Sequence, residues 1–203
     1  MKRLRRPLIL FLSFFILSCA RGGTYPVLLR YQSVGEFPTL QQKIGSTLGV
    51  APFKDERPDT LYVGLYAPLA GGVTYLKSEP FPLEKTIKES ISQVLSGYGA
   101  KVIPISSWDG RPESLKPLEG DSILMTEIKR FWIEGRASLF GTKVKTSVHL
   151  VIYLGVKKEG KVFTRNVDVE KEVTVARLTP EQAEQMINQT LSDIFDSFFS
   201  NPY

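Results

Sequence analysis

Polar and apolar positions change period several times along this chain, and each change marks an element. The clearest stretch is "TKVKTSVHLVIYLGV", in which Val144, Val148, Leu150, Ile152, Leu154 and Val156 occupy even positions while Lys143, Lys145, Ser147 and His149 occupy odd ones. Strict alternation predicts a strand with one covered face and one wet face. "DSILMTEIKRFWIEG" before it and "KVFTRNVDVEKEVTV" after it read as strands of the same kind, the second joined through the turn Lys157-Lys158-Glu159-Gly160. Shorter apolar runs, Leu48 to Phe53 and "AKVIPIS", predict two more strands.

Helical periods frame these strands. Leu83, Ile87, Ile91, Val94, Leu95 and Tyr98 fall on one stripe after Pro82, and Gly97 and Gly99 end it. Near the C-terminus Thr179-Pro180-Glu181-Gln182 supplies an N-cap, a first-turn proline and a capping-box glutamine, followed by the stripe Ala183, Met186, Ile187, Leu191, Ile194, Phe195 and Phe198. The expected fold is α+β: an antiparallel or mixed sheet of four to five strands with two amphipathic helices packed on one face.

Two segments lack a sustained period. Residues 60 to 82 hold Gly64, Gly71, Gly72, Pro68, Pro80 and Pro82 together with Tyr62, Tyr66 and Tyr75. A loop of that length and aromatic content is a candidate binding element; folding back over the core and forming an extra hairpin are the alternatives. Residues 19 to 43 read as a tether, which leaves 44 to 203 as one domain.

At the N-terminus Lys2, Arg3, Arg5 and Arg6 precede an apolar run from Leu8 to Leu17. A charged segment followed by about ten apolar residues has the form of a secretory signal, and it is shorter than the roughly 20 residues a membrane span needs. Ile16-Leu17-Ser18-Cys19 resembles the bacterial lipobox, in which the cysteine is acylated on sulfur and becomes the mature N-terminus. That resemblance implies a signal peptide over residues 1 to 18 and membrane attachment through a diacylglyceryl group on Cys19. Ala20 rather than Asp follows the cysteine, which by the same resemblance implies the periplasmic leaflet of the outer membrane.

Cleavage there changes the charge. The chain has 26 Lys plus Arg against 21 Asp plus Glu; four of the basic residues precede Cys19, leaving 22 against 21. Net charge therefore offers no argument for a nucleic-acid partner. One histidine and one cysteine make no zinc or iron-sulfur site, and no phosphate loop or nucleophile elbow occurs. No cofactor is expected. His149 has no evident nucleophile beside it. Asp55, Glu56, Arg57 and Asp59 could perform acid-base work, but a turn held by Asp55 and Arg57 accounts for them more simply. Trp132 and Phe131 point to opposite sides of one strand, so Trp132 joins the three tyrosines as a candidate for contacting a partner.

The order of these pieces, with "FKDERPD" closing a strand, "LSGYGAKV" closing a helix, "IKRFW" and the hairpin "VHLVIYLGVKKEGKV", resembles the YajG-like family of bacterial outer-membrane lipoproteins. The resemblance implies a fold like the N-terminal domain of TolB, and a non-enzymatic envelope role as a binding or scaffold subunit with a protein partner. A periplasmic lipid or glycan carrier is the alternative, and would need an apolar cavity between helices and sheet.

Overall fold

The computed structural model describes residues 22–202. Among them are nine strands in one mixed sheet and three α-helices: β1 (Gly23–Leu28), α1 (Leu40–Ile44), β2 (Thr47–Val50), β3 (Lys54–Asp55), β4 (Gly64–Ala67), β5 (Thr74–Glu79), α2 (Leu83–Gly97), β6 (Lys101–Pro104), β7 (Ser122–Ser138), β8 (Gly141–Val156), β9 (Lys161–Val175) and α3 (Pro180–Ser200). The expectation of a four- to five-stranded sheet with two helices is thus corrected: the fold is mostly sheet.

Strand β7 organises the sheet. One long edge pairs antiparallel with β8, from Ser122 opposite Val156 to Ser138 opposite Gly141, and β8 pairs likewise with β9. The other edge is shared by three short parallel strands in succession, β2 at Ser122–Leu124, β3 at Glu127–Ile128 and β4 at Ile133–Arg136. From these the sheet branches, to β6 beside β2 and to β5 and β1 beside β4. At Gly64 β4 lies so close to β7 that a Cβ would stand 2.2 Å from the Ile133 carbonyl oxygen. Only glycine permits that approach.

Residues 60 to 82 therefore form a hairpin, β4–β5, with Leu65 opposite Tyr75. The expected tether is also folded where the structure describes it. Val27, Leu29 and Tyr31 alternate into the core, and one edge of α3 satisfies the backbone of residues 28 to 35. The Leu28 amide donates to Glu184 (3.0 Å) and the Arg30 amide to Asn188 (2.8 Å). The Asn188 amide returns a bond to the Leu28 carbonyl, and Ser192 bonds both the amide and the carbonyl of Gln32. Asp196 accepts from the Tyr31 hydroxyl (2.7 Å) and from the amides of Val34 and Gly35. Positions 184, 188, 192 and 196 recur every four residues and so share one helix face.

Helices α2 and α3 cover one sheet face. Leu83, Ile87, Ile91 and Leu95 of α2, and Ile187, Leu191, Phe195 and Phe198 of α3, enter one buried cluster with Leu124, Ile128, Val148, Leu150 and Ile152. Thr179 caps α3 by accepting from the Gln182 amide while the Gln182 side chain accepts from the Thr179 amide. The opposite sheet face is covered only in part. The segment 105–120 lays Trp108 and Leu115 over Ile123 and Met125 as a second cluster, with Tyr153 packed at its margin.

Candidate functional site

The uncovered part of that second face is the candidate site, and an ion pair at its border fixes one of its walls. Arg57 Nε and Nη2 donate to the two carboxylate oxygens of Asp55, at 2.8 and 2.7 Å. Arg57 Nη1 donates to the Tyr62 and Phe131 carbonyls and Nη2 to the Thr60 carbonyl. Both side chains are buried. A planar guanidinium with its donors spread over two carboxylate oxygens and three carbonyls is a structural fastener. It ties the 56–62 loop to β7 and leaves neither charge available for acid-base chemistry.

A second network marks where cover ends. Glu127 accepts from Lys129 (2.9 Å), Lys54 (3.3 Å) and the Tyr153 hydroxyl (3.2 Å). Partial burial pushes the Glu127 carboxyl up, but the hydrogen bonds from Lys129 and Lys54 outweigh it and hold the group below the usual carboxylate range.

Beyond this network the face is amphipathic and open. The Tyr62 and Tyr75 rings pack with centroids 4.8 Å apart, and Tyr75 remains 39% exposed. Leu65 shares their side, being opposite Tyr75, and Glu134 lies level with Leu65 on the neighbouring strand. Half-buried Trp132 sits directly across from Ser147. Around the aromatic groups runs a ladder of charge pairs: Arg130 with Glu170 (3.1 Å), Lys145 with Glu170 (3.4 Å) and Lys143 with Glu172 (2.9 Å). His149 stands between Arg130 and Asp168 in register, with no nucleophilic side chain paired to it across either strand.

The four candidate residues divide. Tyr62, Tyr75 and Trp132 belong to the open face. Tyr66 is displaced by strand parity: level with Gly135 and opposite Thr74, it turns to the helix-covered face and packs against the main core. Cys19 lies outside the described residues. Leu65 falls within the 60–82 stretch that the sequence marks as a candidate binding element, whereas the charge ladder of β9 becomes visible only with the register of β8 on β9.

A cleft of about 560 Å³, lined by Phe53, Asp55, Leu61, Lys77, Glu79 and Phe81 among others, opens where β5 leads into α2. Of its acidic lining residues, Asp55 is already bound to Arg57 and Glu79 is paired with Lys77. Among the described residues no three His, Cys, Asp or Glu side chains are placed to hold a metal ion, and no helix is long and apolar enough to cross a membrane.

Neither a family model nor a curated protein matches the sequence. The architecture, a branched mixed sheet with two long helices on one face, is shared with a solved structure. Protein XCC0632 from Xanthomonas campestris, of family DUF330, superimposes with a TM-score of 0.57 at 14% identity, over 87% of this chain and 92% of that one. This likeness is one of fold. Two looser similarities are the hypothetical protein CT253 from Chlamydia trachomatis (TM-score 0.42, 13% identity, 76% and 97% covered) and lipoprotein GNA1162 from Neisseria meningitidis (0.40, 14%, 74% and 99%).

Proposed function

We propose that this chain is a lipid-anchored, non-enzymatic envelope protein that binds a protein partner through the open sheet face, as a subunit or scaffold of an envelope assembly. The observation that carries the reading is the grouping of Tyr62, Tyr75 and Trp132 on the part of the sheet that neither the helices nor the 105–120 segment covers. Aromatic anchors within a charged rim are the composition from which binding energy is drawn at protein interfaces. The charged groups that could have served catalysis are engaged instead in fastening the fold, as Asp55 and Arg57 are.

Anchoring rests on Ile16-Leu17-Ser18-Cys19, and placement in the outer membrane on Ala20. Two acyl chains suffice for stable attachment, at about 0.8 kcal/mol per buried CH₂. The resemblance to YajG-like lipoproteins agrees with both. The carrier alternative loses support because Phe195, Phe198 and Leu191 fill the space between α3 and the sheet. The grooves left beside α3, about 180 Å³ next to Val167 and Ile194 and about 330 Å³ next to Val173 and Met186, lie at or below the lower end of the roughly 300–1,000 Å³ range of small-molecule pockets.

Metabolic labelling with a fatty-acid probe tests the anchor: the wild-type protein takes up label and Cys19→Ser does not, and a labelled, membrane-bound Cys19→Ser protein contradicts it. Recovery from the inner membrane alone would contradict the outer-membrane placement.

A further inference from the structure

The described chain begins at one end of the sheet, and that end carries Phe140, the most exposed large apolar side chain among the described residues. Gly23 is level with Thr74 in the parallel β1–β5 pair, and its amide donates to the Val73 carbonyl at 3.2 Å. Thr74 is opposite Tyr66, and Tyr66 is level with Gly135. From there β4 and β7 both run on toward the same end. β4 leads into the 68–73 turn, where Leu69 is 60% exposed, and β7 into the β7–β8 turn, where Leu139 is 80% and Phe140 96% exposed. Isolated exposed apolar residues need no explanation, but adjacent Leu and Phe standing almost wholly in water at a hairpin tip do. The nearest cations on β7 and β8, Arg136 and Lys143, sit just behind the tip and are exposed, each paired with a carboxylate, Glu134 and Glu172 respectively.

Only Ala20 and Arg21 separate Cys19 from Gly22. Three peptide links reach about 11 Å at full extension, so an acylated Cys19 keeps this end of the domain against the bilayer. We propose that the β7–β8 tip is a second membrane contact: Leu139 and Phe140, with Leu69 beside them, enter the interfacial layer of the leaflet that holds the acyl chains, while Arg136 and Lys143 lie at the level of the anionic head groups. The inference rests on acylation of Cys19. It fixes the orientation of the molecule, with the sheet standing on its Leu139–Phe140 end and the β8–β9 turn pointing away. The 16 residues of β8 separate the two turns by about 50 Å at roughly 3.3 Å per residue.

The test uses the lipidated protein purified from the envelope and reconstituted into vesicles of phosphatidylethanolamine and phosphatidylglycerol. Acylation blocks the native thiol, so Phe140→Cys and, at the far turn, Lys158→Cys each provide one site for an environment-sensitive NBD label. Circular dichroism should match wild type, because both side chains are exposed. The expected result is that both variants float with the vesicles, the label at position 140 shifts to the blue and is quenched by brominated lipid, and the label at 158 keeps its aqueous emission. Flotation with an aqueous signal at 140 overturns the second contact while leaving the anchor standing. A blue shift that brominated lipid does not quench places the tip against protein and also overturns it. Failure of the protein to float removes the anchor, and the inference with it.

Discussion

The two faces of strands β7 and β8 are built from neighbouring residues of the same segments, yet they serve opposite ends. On the helix side Val148, Leu150 and Ile152 are sealed beneath Leu191, Phe195 and Phe198. On the other side, one residue out of step, Trp132, Lys145 and His149 meet solvent to varying degrees. On this sheet burial specifies the fold from one side, which leaves the other side free to hold aromatic groups in fixed, partly exposed positions.

The largest effect should come from disturbing the sealed side. Phe195→Ala removes a fully buried ring that packs 5.6 Å, centroid to centroid, from Tyr31, and is expected to cost about 3–5 kcal/mol in denaturant unfolding. Trp132→Ala on the open side should cost markedly less; equal losses would erase the distinction between the faces. Arg57→Ala tests the border. It leaves the buried Asp55 carboxylate uncompensated and should cost about 3–5 kcal/mol, so a loss below 1 kcal/mol by the same measurement would show that the pair does not fasten the loop.

How much of this was legible follows from the same comparison. β8 was readable because its two faces differ in cover along most of its length. β7 alternates poorly because Ile123 and Met125, on its second face, are buried too, under Trp108 and Leu115. β1 and the residues after it place Val27, Leu29 and Tyr31 in the core, but Pro26 and Leu28 between them blur the alternation in sequence, and the support of the segment comes from Glu184, Asn188, Ser192 and Asp196, more than 150 positions away. That polar stripe, set beside the apolar stripe of α3, was the available signal that an extended segment docks there. The site was legible as a set of residue types and not as a grouping. The parity of β4 sends Tyr66 to the core while Tyr62 and Tyr75 stay together, and no local pattern sets that parity.

Acid should weaken the border network before it reaches the sealed side. The Glu127 carboxyl lies below its ordinary value despite partial burial, because Lys129 and Lys54 bond it. Asp121 is likewise lowered, first by the Thr47 amide and then by the Ser46 hydroxyl and amide, with burial opposing. Folded protein therefore binds fewer protons than unfolded protein at these groups. Their stabilisation is complete above the unfolded carboxyl values of about 4 and is lost as pH falls through the lower folded values. A melting temperature that falls below pH 4 in wild type, and falls less in Glu127→Gln, is the expected outcome; identical profiles would remove Glu127 from the account. A smaller effect of opposite sign is expected at Thr126. Its hydroxyl is fully buried on the helix-covered face of β7 with no protein partner, so Thr126→Val should leave stability unchanged or raise it by up to about 1 kcal/mol.

The central claim, that recognition belongs to the open face, is tested most directly by photocrosslinking the lipidated protein in its native membrane. A photoreactive side chain is placed at Tyr75, at Trp132 and, as a control on the outer surface of α3, at Gln185. The expected result is one adduct of the same mass from Tyr75 and Trp132, none from Gln185, and loss of the Trp132 adduct when Tyr62 and Tyr75 are both changed to Ser in a protein that still folds. An adduct from Gln185 alone, or a Trp132 adduct undiminished by the double change, would contradict it.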